Sequence, residues 1–194
     1  MNVGRPKEFD EDKVLNIAMN YFWDKGYDNA SLNQLLQQMG ISKSSFYQTF
    51  GSKQALFERC LELYVKQQTS WINEQLTIKS AKQVLFDIFQ MSISEIKQYG
   101  EIKGCLVMNS AETCYKKYPD LSQLIASQFH QFHHLFKKLI RLGQQQNEIS
   151  TRHDAEMLSS IYLNTLNGLS VMIKAGADDK MIDDVLSGFE IQLK

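Results

Sequence analysis

Proline occurs only twice in this 194-residue chain, at Pro6 and Pro119, and glycine only ten times. With so few breakers, long helices are easy to place and closely spaced turns are hard to find. Runs of alternating apolar and polar residues are missing too, which excludes sandwiches and barrels and leaves an all-α fold. Neither charge sign is in surplus: 21 Lys and Arg stand against 22 Asp and Glu, a formal net charge of -1. No global basic field is available to recruit nucleic acid, so any such contact must rest on a local cluster with a modest phosphate contribution. Cysteine is scarce and odd in number, at three, which points to a reducing cytosol rather than a disulfide framework. No stretch reaches the ~18 uninterrupted apolar residues of a membrane span. The polar start MNVGRPKEFDEDK lacks the apolar core of a secretory signal. A cytoplasmic protein without membrane contact is expected.

What the chain does have is a hydrophobic share of 43%, enough to bury a real core. Its length suits one large domain, or a small one joined to a larger one. Apolar spacing predicts a first helix over 10–25, carrying Val14, Ile17, Ala18, Tyr21 and Phe22 and ended by Gly26. Ser31 can cap a second helix with Leu32, Leu35, Leu36 and Met39, stopped by Gly40. Ser42 can cap a third, in which Phe46 and Phe50 share one face, and Gly51-Ser52 leads into a fourth reaching about residue 76. Further helices are expected near 80–99, 105–115, 121–146, 155–174 and 180–193. No composition shift marks a linker.

Two short helices around a glycine turn, within residues 31–50, have the shape of a helix-turn-helix. Leu35, Met39, Ile41, Phe46 and Phe50 would pack inward, leaving Lys43, Ser44, Ser45, Tyr47, Gln48 and Thr49 facing outward. No acidic residue occurs from Ser31 to Gln54, as entry into a phosphate-lined groove requires. From periodicity alone, a helical hairpin with a polar face fits equally well.

Gly26-Tyr27, Ser31, Gly40-Ile41-Ser42, Ser45-Phe46-Tyr47, Phe50 and Ser52-Lys53-Gln54-Ala55-Leu56 resemble the N-terminal domain of the TetR family of transcriptional repressors, over about 8–64. The resemblance implies about nine helices, with a DNA-binding domain over 1–52, a ligand-binding and dimerisation domain over 53–194, and a fourth helix shared between them. It implies that Lys43, Ser44, Ser45 and Tyr47 lie on the recognition helix, with Tyr47 against the DNA. Ser31 and Lys53 would anchor backbone phosphates, where helix N-termini and an ammonium converge, and Asn33 would reach a base edge. Position 49 usually carries His or Tyr in the family, so Thr49 departs from the pattern, and Leu36 stands where Ala is usual. Arg5, in the arm Gly4-Arg5-Pro6-Lys7, resembles basic tails laid in the minor groove; a disordered terminus is the alternative.

The C-terminal half offers Phe86, Phe89, Met91, Met108, Tyr115, Phe129, Phe132, Phe136, Tyr162 and Met172 as core, pocket lining or both. Gly104-Cys105-Leu106-Val107-Met108-Asn109 resembles a branch of the family in which a Gly-Cys pair opens the sixth helix. A thiol at a helix N-terminus has a lowered pKa, and Lys103 and Lys174 are candidate cations beside it. Cys105 is therefore either a redox or electrophile sensor or a small buried apolar residue. Cys114 is about 13 Å along the same helix, too far for a bridge. His130, His133 and His134 have spacing that can place two imidazoles on one metal, but no His-Glu-x-x-His pattern accompanies them. No metal, cofactor or catalytic group is expected, and the chain is read as no enzyme. The expected pocket or sensor set is Phe86, Phe89, Cys105, Met108, Asn109, Phe129, His133, Tyr162 and Lys174. The last two helices carry apolar faces that suit either a monomeric core or a four-helix interface between two copies; the resemblance decides for a homodimer. The implied function is a repressor that binds a palindromic double-stranded operator and is released by a small-molecule effector or thiol modification. The alternative is a small-molecule or redox-sensing helical protein whose helix-turn-helix no longer binds DNA.

Overall fold

The computed structural model describes residues 9–99 and 103–194; Arg5 and its arm lie outside the described residues. Among them the chain folds as nine α-helices: α1 Glu11–Asn29, α2 Leu32–Met39, α3 Lys43–Phe50, α4 Lys53–Gln75, α5 Ala81–Tyr99, α6 Leu106–Cys114, α7 Pro119–Gln145, α8 Ala155–Lys174 and α9 Asp179–Gln192. Their starts follow from side chains that replace missing helical partners. Asp10, Ser31, Ser42, Ser52, Asp154 and Asp178 each accept the backbone N–H three residues on, a cap worth about 1 kcal/mol apiece.

Two boundaries differ from the spacing. Gly26 interrupts α1 at φ 75°, ψ 161°, but one further helical turn, Tyr27 to Asn29, follows it. Helix α7 begins at Pro119 rather than at residue 121, because the ring's fixed φ suits a first turn whose N–H would go unpaired anyway. The turn between α2 and α3 depends on Gly40, left-handed at φ 65°, ψ 30°, a conformation that costs other residues a Cβ clash.

Helix α4 packs on both α1 and α7, with Tyr64 meeting Trp23 of the one and Phe132 of the other, so it ties the N-terminal helices to the rest. Phe22, Tyr27 and Phe57 form the N-terminal aromatic cluster, with Phe57 4.8 Å from Phe22 and 4.9 Å from Tyr27 between ring centroids. A second cluster joins Phe89, Phe136 and Phe189 around Tyr162 at 4.7–5.4 Å. Tyr162 is fully buried and its hydroxyl donates to the Leu85 carbonyl at 2.8 Å, which satisfies a polar group that would otherwise be costly to bury. Among the described residues no helix is long and apolar enough to cross a membrane.

Candidate functional site

Three serine caps and two glycine turns hold α2 and α3 as a unit over Phe46 and Leu35, both fully buried. On the outer face of α3, Lys43, Ser44, Tyr47 and Gln48 are exposed, while Ser45 and Thr49 are half-buried. Tyr47 is 48% exposed, and its ring stands edge-on to Phe46 at 5.2 Å. Packing on one side thus steadies the ring while about half of the side chain is left to solvent. Ser42 links the first turn of α3 through hydroxyl contacts of 2.9 Å to Ser44 and to Ser45. Ser31 and Asn33 are exposed at the start of α2. Lys53 is half-buried, its Nζ 4.5 Å from the centre of the Tyr27 ring. Desolvation lowers the Lys53 pKa, opposed by the nearby Asp28 carboxylate.

The ligand-side expectations are only partly brought together. A cavity of about 120 Å³ lies between six helices. It is lined by Trp23 of α1; Tyr64, Gln68, Trp71 and Ile72 of α4; Ile88 and Met91 of α5; Gly104, Cys105 and Met108 around the start of α6; Phe129, Phe132 and Phe136 of α7; and Leu163, Leu166, Asn167 and Ser170 of α8. Cys105, Met108 and Phe129 were expected there. Phe89 and Tyr162 are core instead, since both are fully buried against Phe189. Phe86 packs on the far edge of that cluster, 6.4 Å from Phe189. His133 also lies away from the cavity: its Nε2 meets Ser160 and Ser159 at 2.9 and 3.0 Å, tying α7 to α8 beside the Lys137–Glu156 ion pair. Asn109 donates to the Lys103 carbonyl at 2.6 Å and so braces the loop before α6. Lys174 brings its Nζ beside Gly104, 3.3 Å from where a Cβ there would stand.

Cys105 is the N-cap of α6, without a side-chain cap bond. The expectation of a lowered thiol pKa is corrected: burial pushes it up, against the smaller downward pulls of the Met108 N–H, the Tyr64 hydroxyl and the Val107 N–H. The helix terminus acts as anticipated, but desolvation of the thiolate outweighs it. Burial likewise raises the Cys114 thiol, and pushes Cys60 far above the ordinary range.

Sequence reasoning missed the pocket's α1 and α4 walls. A usable signal existed, since Tyr64, Gln68 and Trp71 recur at helical spacing with a carboxamide between two aromatics. Also missed were two ties from α1 to the C-terminal helices. Trp23 Nε1 donates to the Gly104 carbonyl at 3.0 Å, with the Lys103 Nζ 5.5 Å from the centre of the indole. Asp28 accepts from Lys117 Nζ at 2.7 Å and from the Tyr118 hydroxyl at 2.5 Å, which together lower its pKa.

A capped helix-turn-helix with an acid-free outer face, tied to a helical body that encloses a pocket, defines a transcriptional regulator with a separate sensing region. The comparisons agree. Residues 14–60 match the bacterial regulatory proteins, tetR family, and residues 81–189 the tetracyclin repressor-like C-terminal domain. The chain is 30% identical over 186 residues to the Bacillus subtilis (strain 168) protein named uncharacterized HTH-type transcriptional regulator YezE, covering 94% of this chain and 96% of that one. It is 27% identical to the HTH-type transcriptional repressor ComR of Escherichia coli (strain K12), covering 90% and 84%. Among solved structures, a cysteine mutant of the TetR family regulator CifR complexed with 26-bp operator DNA superposes with a TM-score of 0.78 at 29% identity, over 97% of this chain and 98% of that one. This chain belongs to the TetR family of transcriptional regulators.

Proposed function

We propose that this regulator is a repressor that binds a palindromic operator as a homodimer and releases it when a small molecule occupies the cavity. The observation that carries the reading is the outer face of α3, where Lys43, Ser44, Tyr47 and Gln48 are exposed and no carboxylate lies between Ser31 and Gln54. That face suits a major groove, with Tyr47 and Gln48 toward bases and Ser31, Thr49 and Lys53 toward phosphates. The operator complex of CifR and the repressor name of ComR support the same assignment.

The proposed dimer face is the outer side of α8 and α9. Val171 and Ile191 are 57% and 68% exposed there, with Met181 also exposed. Gly168 and Gly188 sit within these helices with open space where a Cβ would stand. A glycine inside a helix costs about 1 kcal/mol against alanine, and no contact within the protomer explains either one. Close approach of a second copy's helices does. Two α3 helices would then face half-sites a whole number of helical turns apart.

Release follows from Trp23, which lines the cavity and is carried on α1, the helix that packs against α2 of the helix-turn-helix. A ligand that displaces Trp23 or Gly104 biases the spacing of the two α3 helices. Duplexes selected from a random pool, followed by fluorescence anisotropy, test the reading. A palindromic preference is expected, and Tyr47→Ala should lose it while staying a helical dimer. Equal affinity for selected and random duplex would refute operator recognition, and loss of dimer or helicity in Tyr47→Ala would make Tyr47 structural.

A further inference from the structure

The cavity's lining restricts what can occupy it, and the restriction is chemical as well as steric. Among the described residues, no Asp, Glu, Lys, Arg or His lines it. Besides the Cys105 thiol and the Trp23 indole, whose N–H is spent on the Gly104 carbonyl, its polar side chains come from α4 and α8. On α8, Asn167 spends one of its two N–H groups on the Leu163 carbonyl at 2.8 Å, and Ser170 spends its hydroxyl proton on the Leu166 carbonyl at 3.2 Å. Helix α8 therefore presents two acceptor oxygens, the Asn167 Oδ1 and the Ser170 Oγ, the latter with its only proton spent, against one remaining amide N–H. Gln68 supplies a further carboxamide from α4. The remaining walls are aromatic and aliphatic, and they include both tryptophans of the chain, Trp23 and Trp71.

Size adds a second restriction. About 120 Å³ is near the ~150 Å³ of an apolar cavity that takes one benzene ring. On the outer side, a groove of about 370 Å³ runs between α6 and α7, lined by Ala111, Tyr115 and Ile125 among others. Cavity and groove share two residues, Met108 and Phe129, both half-buried. These side chains are the partition between the compartments. Methionine, unbranched and with three rotatable bonds, is the one able to swing aside.

We infer that the effector is an uncharged aromatic molecule bearing one N–H or O–H donor. Its donor meets the α8 oxygens at Asn167 and Ser170, and anything longer than one ring passes Met108 into the α6–α7 groove. The inference rests on the effector reading above and specifies its ligand. An anion is excluded by the cost of burying charge where no cation lines the wall. The exposed Lys174, beside Gly104, is the group that would have to answer for an anionic head.

Three probes of one skeleton test this on the full-length protein. N-phenyl-1-naphthylamine is neutral with one N–H; 8-anilino-1-naphthalenesulfonate adds a sulfonate; 1-phenoxynaphthalene replaces the N–H by an ether oxygen. Quenching of Trp23 and Trp71 reports occupancy directly. The neutral amine is expected to bind at least about tenfold tighter than the sulfonate and several-fold tighter than the ether. Asn167→Leu should narrow the amine's advantage over the ether. Met108→Ala should tighten the amine, and Ser170→Trp, which fills the cavity, should abolish quenching. Circular dichroism checks that each variant is folded, and Met108→Ala keeps the test alive if Ser170→Trp is not.

Sulfonate binding equal to or tighter than the amine, and lost in Lys174→Ala, would replace the neutral ligand with an anionic one. An ether that binds as well as the amine, or a folded Ser170→Trp that is quenched like the wild type, would also overturn the assignment. Operator release is measured separately by anisotropy. The expected order of probe binding without release would uphold the ligand class and count against effector control alone.

Discussion

Trp23→Phe tests the connection between pocket and DNA-binding helices most directly. The substitution keeps an aromatic ring near Tyr64, which now meets the indole edge-on at 5.0 Å, but it removes Nε1 and with it the bond to the Gly104 carbonyl. A net loss of about 1 kcal/mol is expected for that hydrogen bond. Weakening the contact with Lys103, on an exposed side chain, removes about 0.5 kcal/mol more. Global stability should fall by roughly that sum, ~1.5 kcal/mol, a tolerable part of the 5–15 kcal/mol usual for a folded domain. The more informative quantity is coupling. If the bond differs between the DNA-competent and released states, its loss can reduce the effect of ligand on operator affinity by up to about tenfold. Operator affinity without ligand should stay within about twofold, because α3 is untouched. The assay is operator anisotropy with and without saturating N-phenyl-1-naphthylamine, with Trp71 still reporting occupancy. A variant that binds the probe and releases DNA as strongly as the wild type would show that Trp23 is wall and nothing more.

The remaining expectations rest on single contacts. Lys53→Ala should weaken binding to selected and random duplex alike and lower the slope of log affinity against log salt by about one unit; an unchanged slope removes Lys53 from the phosphate contacts. Gly143 lies buried in α7, and a Cβ there would stand 2.6 Å from Ile149 Cδ1 and 2.9 Å from its Cγ1. Gly143→Ala therefore sets ~1–3 kcal/mol of overpacking against ~1 kcal/mol of helix propensity and should lower the urea midpoint. The loss should shrink in an Ile149→Val background, and a midpoint above that of the wild type would contradict the geometry. With a thiol reagent at neutral pH, Cys105 should label first yet more slowly than a free thiol, since it is half-buried with a raised pKa while Cys60 and Cys114 are fully buried. Equal rates for all three would refute that order.

The helix-turn-helix was legible because its determinants are local. Ser31, Ser42 and Ser52 each cap a helix a few residues from a glycine, and every one of those bonds spans three residues. The cavity was not legible in the same way, because its walls come from helices far apart in the chain. Trp23 and Gly104 are separated by 81 residues. Aromatic spacing could not separate Phe129, which lines the cavity, from Phe89, which fills the core: both lie on apolar helix faces, and only tertiary packing decides which faces void and which faces neighbour. Cys105 failed differently. Its place at a helix start was read correctly, but the sign of its pKa shift depends on how deeply the surrounding helices bury it, and spacing does not encode depth.

Helix α1 is fastened to the C-terminal helices on both sides of Gly26. Ahead of the glycine, Trp23 is held by the Gly104 carbonyl; beyond it, Asp28 is held by Lys117 and Tyr118. The second fastening keeps its grip across the neutral range. A carboxylate whose folded pKa lies below its ordinary value contributes stability that is complete above that value and is lost only as pH falls through the lower one. Between the two points the backbone leaves helical geometry. The arrangement has the geometry of a lever with Gly26 as its fulcrum. Were Gly104 to shift relative to the α6–α7 turn, the pull would reach α1 as torque about Gly26, and the length of α1 ahead of that joint would set how far it is carried.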